Sequence, residues 1–272
     1  MQFLFFEQQY VHPKGEFMFN FIYKDVDFSH KLDLVPVKVS DYSKHAHHFN
    51  EVLFYISGSL NYTVENVTHT LEPGDIVIIP AGKFHFLDFN SEEAYERYVF
   101  KFPDSFLPQS VLEKFKKMPI FISSSKIITE SLKNFDEYAL IEDKESAFIL
   151  FSCELIKLIV LATTNTRTFT ASKTQYNDFI QQIISYIDRH IYEDITLEDL
   201  SKSLSFSKSH LCNQFKKYMK ISLIDYVRHK KIFVAESLIK TGVKKNVVAQ
   251  ELGFKDYSTF YRQYKKITAE KK

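Results

Sequence analysis

The sequence has no tryptophan, only two cysteines and very little arginine: 30 of its 35 basic residues are lysine. Cys153 and Cys212 fall in different predicted domains and form no disulfide framework, which fits a reducing cytoplasm. The lysine bias follows an AT-rich genome as much as any function. The N-terminal run Met-Gln-Phe-Leu-Phe-Phe-Glu lacks the basic flank and long apolar stretch of a signal peptide. Nor is there a long uninterrupted hydrophobic run. The most apolar segment, 148–162, is shorter than a membrane span requires and is broken by Glu154 and Lys157. A large excess of one charge is also absent, the formal net charge being +1. Hydrophobic and charged fractions of 45% and 25% exclude a disordered chain, and 272 residues suffice for two domains with separate cores.

The near-neutral total hides a segregation. Residues 175–272 carry a balance of +7, with 18 Lys and Arg against 11 Asp and Glu. Residues 1–174 carry −6, with 17 against 23. Any one of these lysines is ordinary surface charge. Their concentration in one part of the chain, however, would attract a phosphate backbone, with an affinity that falls as salt rises.

Within the basic part, 194–266 reads as two helix-turn-helix units joined by a long helix. Thr196 and Asp199 have capping-box spacing and open a short helix with Leu197, Leu200 and Leu204 inward. After a turn at Ser205-Phe206, Ser207 starts a second helix whose Leu211, Phe215 and Tyr218 are expected to face the core. A connecting helix spans 223–240. The pattern then repeats, with a helix over 244–252, a Gly253-Phe254 turn, an Asp256 cap and a helix over 257–266 anchored by Phe260 and Tyr264. One such unit is what many surface helices look like; two copies about fifty residues apart point to DNA binding.

This stretch resembles the DNA-binding domain of the AraC family of bacterial transcription regulators. The residues that carry the likeness include Leu200-Ser201, Ser207, Leu211, Phe215, Tyr226, Ala235, Leu238-Ile239, Ala249, Gly253-Phe254, Asp256, Ser258, Phe260 and Arg262. Three departures stand out. Lys220 replaces a usual turn glycine, Lys231 a usual arginine and Lys245 a usual core isoleucine. The sequence given also ends before the family's usual Thr-Pro and terminal Tyr-Arg segment, so the second unit is expected to be less well braced than the first. The resemblance implies contacts to double-stranded DNA from Ser207, Lys208, Ser209, His210, Cys212, Asn213, Lys216 and Lys217 in the first unit. In the second it implies Tyr257, Ser258, Thr259, Arg262 and Lys265. Arg262 suits guanine, which a guanidinium grips with two hydrogen bonds, and Lys208, Lys216, Lys217 and Lys265 suit phosphates.

The first hundred residues read as β-rich, with short apolar runs at 17–23, 35–39, 51–56, 60–64, 76–79 and 97–102. Ser57-Gly58, Pro73-Gly74 and Ala81-Gly82 separate several of them. Such a pattern favours a sandwich or barrel. The spacings of His45, His47, Glu51 and Gly58, and of Gly74, Pro80, Gly82 and His85, resemble the two motifs of the cupin superfamily, a small double-sheet barrel. AraC-type regulators often carry such a barrel ahead of their DNA-binding domain. In metal-binding cupins the matching positions are ligands, so His45, His47, Glu51 and His85 are a candidate site for a divalent transition metal such as Zn²⁺, Fe²⁺, Mn²⁺ or Ni²⁺. The alternative is that His45, His47, Glu51, Tyr55 and His85 line a metal-free mouth for an organic effector, a sugar or related metabolite by family resemblance.

From 106 to 164 the pattern turns helical, with short helices at 111–115 and 127–135 and a third, over 142–163, apolar nearly all round. The third helix must be buried, against the barrel or against a second subunit. A threonine-rich stretch follows, and a helix resumes over 176–190. The expected architecture is therefore an α+β multidomain chain. A cupin-type β-barrel (double-stranded β-helix) with following helices spans 1–165, a linker 166–175, and an all-α double helix-turn-helix domain 176–272. The expected function is a ligand-responsive, sequence-specific transcription regulator in the cytoplasm. It would be a homodimer meeting RNA polymerase, with no membrane partner. The alternative is a metal-dependent cupin enzyme with a C-terminal interaction module.

Overall fold

A computed structural model describes residues 19–34, 45–118, 120–123, 126–164 and 174–269. The chain divides into two compact units, Met1–Gln175 and Tyr176–Lys272.

In the first unit two antiparallel sheets face each other. The larger has the order β1 (Phe19–Tyr23), β2 (Val26–Asp33), β8 (Tyr95–Phe102), β3 (Asn50–Ser57), β6 (Asp75–Ile79), β9 (Phe121–Ser123). The smaller has the order β10 (Thr174–Tyr176), β5 (Val67–Thr70), β4 (Leu60–Val64), β7 (His85–Phe89). Strands β3, β6 and β8 are covered on both faces, so they read as continuous apolar runs. Leu53, Tyr55, Val77, Ile79 and Val99 point between the sheets and meet Leu60, Tyr62, Val64 and Leu87. Val52, Phe54, Ile76, Ile78 and Phe100 point the other way, into a core shared with helices.

Those helices are α1 (Gln109–Phe115), α2 (Lys126–Ser131), α3 (Lys133–Tyr138) and α4 (Lys144–Thr164). The single helix expected at 127–135 is two, broken at Leu132. Helix α4 corrects one expectation. It starts four residues before the apolar run, and its 21 residues are long and apolar enough, by length and composition alone, to cross a membrane. Within the first unit it is buried along one side. Ala147, Phe151, Leu155, Leu158, Ile159 and Ala162 lie in the core of the first unit, whereas Ile149 is 53% exposed and Leu150 and Val160 face outward.

The strands absent from the sequence reading, β2, β5, β7, β9 and β10, are short or rich in polar residues, and hydrogen-bonded neighbours specify them better than their own periodicity does. The run expected at 35–39, positions 17–18 of the first run and most of the expected linker lie outside the described residues. Thr174 and Gln175, expected in that linker, belong to β10.

The second unit is helical: α5 (Asp178–Arg189), α6 (Leu197–Leu204), α7 (Lys208–Met219), α8 (Leu223–Lys240), α9 (Lys245–Glu251) and α10 (Tyr257–Ala269). Side-chain caps fix the starts. Thr196 accepts from the Asp199 amide, Ser207 from His210, Ser222 from Asp225 and Asp256 from Thr259. Each such cap contributes about 1 kcal/mol. Tyr218, expected in the core, is half-buried, and Met219 takes the inward place. Lys220 adopts the left-handed conformation that the family's glycine would adopt freely, at φ 53°.

Candidate functional site

Two places concentrate chemistry, one in each unit. In the first, the segment before β3 is pinned to the start of β7. His45 and His85 exchange backbone hydrogen bonds of 3.4 and 3.1 Å, and the Gly82 amide donates to His47 O at 2.8 Å. Asn50 holds the opposite wall, accepting from the Ala81 amide and donating to Asp104. These backbone ties bring three imidazoles together. Ring centroids are 4.3 Å apart for His45 and His85, 4.9 Å for His47 and His85, and 5.6 Å for His45 and His47. One ring nitrogen from each lies within 4.8 Å of the others. Glu51 joins them through His47, whose Nε2 is 3.0 Å from Glu51 Oε2, while Nδ1 is 2.8 Å from Phe49 O.

Burial sets the character of this cluster. Desolvation takes the His85 pKa down to about 3, so its ring is neutral with a lone pair at ordinary pH. Burial alone would raise Glu51, but the hydrogen bond from His47, with the nearby His47, His85 and Lys101, holds its carboxyl well below the usual carboxylate range. Neutral imidazole and ionised carboxylate are the forms that bind divalent transition metals. A 3.0 Å separation of two donor atoms suits a shared ion with bonds of about 2.0–2.2 Å as well as a shared proton. The three imidazoles therefore fit a metal held by His45, His47 and His85, with Glu51 hydrogen-bonded to His47 beside them. The cluster equally makes a polar mouth for hydroxyl groups.

Tyr55 does not join this set. It faces the same way as Glu51 and Leu53 but lies four residues along the strand, about 13 Å away. There its hydroxyl is buried without a hydrogen-bond partner, beside Gly58. The alternation that places Tyr55 inside also places it far from the histidines.

In the second unit, α7 and α10 are each the second helix of a helix-turn-helix. On α7, Ser209, Asn213, Lys216 and Lys217 are exposed and Cys212 is half-buried. Asn213 donates to Ser209 Oγ at 3.3 Å, a contact easily given up. Three expected contacts have other engagements. Ser207 is the helix cap, Lys208 is ion-paired with Glu198, and His210 stacks on Phe206 at 5.3 Å and meets Phe179 edge-on at 5.2 Å.

On α10, Tyr257, Ser258, Arg262 and Lys265 point outward. Thr259 turns aside: half-buried, it donates its hydroxyl to Asp256. Tyr261, not among the expected contacts, completes this face. It stacks on Tyr257 at 5.8 Å, with Lys265 over its ring at 5.2 Å. Its i+4 spacing from Tyr257 is the signal that would have found it. Lys245, in place of the family's isoleucine, reaches over the Tyr264 ring at 4.8 Å instead of entering the core.

The sequence matches two known families: the cupin domain over residues 34–99 and the helix-turn-helix domain over residues 200–271. A response regulatory protein of Staphylococcus epidermidis is 30% identical over 95 residues, covering 35% of this chain and 38% of its own length. The chain thus spans well under half of that relative. The helix-turn-helix-type transcriptional regulator YdiP of Escherichia coli is 26% identical over 234 residues, 82% of this chain and 77% of its own length. Among solved structures, apo ToxT of Vibrio cholerae aligns over 88% of this chain and 93% of its own, with 16% identity and a TM-score of 0.35.

Proposed function

We propose that the chain is a transcription regulator of the AraC type, which binds double-stranded DNA in a sequence-specific manner and regulates transcription in response to a small molecule. The observation that carries this reading is the pair of outward helix faces on one basic unit, Ser209–Asn213–Lys216 on α7 and Ser258–Arg262–Lys265 on α10. Phosphate contacts from Lys216, Lys217 and Lys265 hold the unit on the duplex; Asn213 and Arg262 read bases. The effector, a sugar or related metabolite, sits at the mouth formed by His45, His47, Glu51 and His85. It acts only insofar as it binds two arrangements of the protein with different affinity. The protein works in the cytoplasm as a homodimer that uses the exposed Ile149–Leu150–Val160 side of α4, and it meets RNA polymerase at the promoter.

The test is selection of bound sequences from random duplexes, followed by titration of variants. Arg262→Ala is expected to relax preference at one base position, at a cost of about 1–3 kcal/mol on the operator. Lys216→Ala is expected to weaken all sequences alike and to lower the salt slope by about one. Equal losses on operator and random DNA for Arg262→Ala would overturn its base-reading role.

The histidine cluster supports a second reading, a metal-dependent cupin enzyme with the helical unit as an accessory. Metal analysis separates the two. Stoichiometric metal lost in His85→Ala, together with turnover of a substrate, would favour the enzyme; a metal-free barrel with sequence-selective DNA binding favours the regulator.

A further inference from the structure

The outward side of α10 carries two large aromatic rings that lie outside the hydrophobic core of the second unit. Tyr257 is 44% exposed and Tyr261 36%. Their centroids are 5.8 Å apart and the rings are 21° from parallel. The i, i+4 spacing on one helix is what brings them together. Tyr257 also rests against the ring of the buried Phe260, at 5.9 Å. A tyrosine turns about only two side-chain torsions, and these contacts restrict them, so the pair is set before anything binds. Two ammonium groups flank the outer ring. Lys265 Nζ is 5.2 Å from the Tyr261 centroid and Lys245 Nζ 5.9 Å. The result is an apolar plate within a basic rim, beside the exposed Ser258 and Arg262.

The chemistry of the partner follows from these features. A basic rim favours a phosphate-bearing surface, and the plate needs an apolar group within that surface. On base edges in the major groove, the apolar group is the thymine C5-methyl. Lys265 can leave the Tyr261 ring for a phosphate, and in doing so it uncovers the ring face. A tyrosine hydroxyl can also donate to a phosphate, but that role needs neither the stack nor the cations over the ring.

We propose that the Tyr257–Tyr261 plate reads thymine, with the Tyr261 ring against the C5-methyl of a base next to the one that Arg262 grips. This inference rests on the DNA-binding reading. It adds an apolar contact that selects thymine at a position separate from the Arg262 hydrogen bonds.

The test uses the full chain and the duplex enriched from the random pool. Each thymine is replaced in turn by deoxyuridine, which keeps every hydrogen-bonding group and lacks only the methyl. The wild type should lose about fourfold in affinity at one or two thymines, the worth of one buried methyl group each. Tyr261→Phe keeps the ring and should show the same losses, whereas Tyr261→Ala should become indifferent to at least one of these replacements. No loss in the wild type at any thymine, an enriched duplex without thymine, losses in Tyr261→Ala identical to the wild type, or their disappearance in Tyr261→Phe would each overturn the proposal. The wild-type comparison needs no variant, so it decides even where a variant fails to fold. Selective binding without methyl dependence would sink this inference alone. Absence of selective binding to any duplex would sink the DNA-binding reading and this one with it.

Discussion

The joint between the two helix-turn-helix units gives the sharpest test of the fold. Gly253 sits in the left-handed region at φ 65°, and a Cβ there would lie 2.6 Å from the Glu193 carbonyl carbon and 2.7 Å from the Asp194 nitrogen. Both neighbours are backbone, so neither can rotate away. In Gly253→Ala the left-handed conformation costs about 1–2 kcal/mol. Forcing apart two well-packed segments costs about 1–3 kcal/mol more. The expected loss is therefore about 2–5 kcal/mol. Gly242 is the internal control. It too has positive φ, at 95°, but a Cβ there meets nothing within 4 Å. Gly242→Ala should lose only the conformational part. The assay is urea unfolding of the full chain by far-ultraviolet circular dichroism, following the helical transition. With an m-value of about 1–3 kcal/mol/M, the two midpoints should differ by roughly 1 M. Equal midpoints for the two variants would refute the close-approach argument.

Three further outcomes follow from named contacts. Lys231→Met should destabilise the second unit by about 2–4 kcal/mol, because it strands the buried carbonyls of Glu193 and Leu252. Lys231→Arg should recover most of that in the same unfolding assay, and equal loss in both would show that the carbonyl bonds are unimportant. His30 lies between Asp136 at 2.8 Å and Glu96 at 2.9 Å and stacks on Tyr98 at 4.0 Å. Burial opposes its charge, but the two carboxylates prevail and its pKa is raised. A raised histidine stabilises the fold fully below its unfolded pKa of about 6.5 and loses that contribution as pH rises through the folded value. The stability gap between wild type and His30→Gln should thus be largest in mild acid and shrink above neutrality, and a gap independent of pH would contradict this. Ile149→Glu, on the exposed side of α4, should shift sedimentation from dimer to monomer while leaving the circular dichroism spectrum unchanged; an unchanged mass would remove α4 from the proposed interface.

Local signals carried the second unit far into view. Thr196, Ser207 and Asp256 are caps that act within four residues of themselves, and Leu211, Phe215 and Phe260 are inward by helical period. In the barrel, motif spacing marked His45, His47, Glu51 and His85. What assembles them, the His45–His85 bridge and the Gly82–His47 bond, joins segments about 40 residues apart. No short-range pattern encodes that. Tyr55 shows the converse failure. Proximity in sequence to Glu51 suggested a shared site, yet an extended strand carries residues apart by about 3.3 Å each. His210 and Lys208 look free on a helical wheel, but Phe179 and Glu198 come from α5 and α6 and Phe206 from the turn, which a wheel drawn for α7 alone omits.

Tandem recognition places a demand on the joint that single-unit binding does not. Helix α8, with 18 residues, is about 27 Å long, close to the roughly 34 Å between successive major-groove faces on one side of a duplex. A rod of that length can hold α7 and α10 near adjacent grooves only if neither unit swings about its end. Once one unit is bound, the second binds at an effective concentration set by how narrowly the joint restricts it. A loose joint spreads α10 over many positions, and the gain from its contacts falls accordingly. Gly253 against Glu193 and Asp194, and Lys231 on Glu193 O and Leu252 O, tie the end of α9 to the segment that enters α6. In the proposed DNA-binding mode these contacts touch no DNA, yet they would decide whether Arg262 arrives at a base together with Asn213. On this reasoning, Gly253→Ala should reduce affinity for a two-groove operator far more than affinity for a half-site read by α7 alone. Equal losses on the two duplexes would mean that the joint stabilises the fold without setting the spacing.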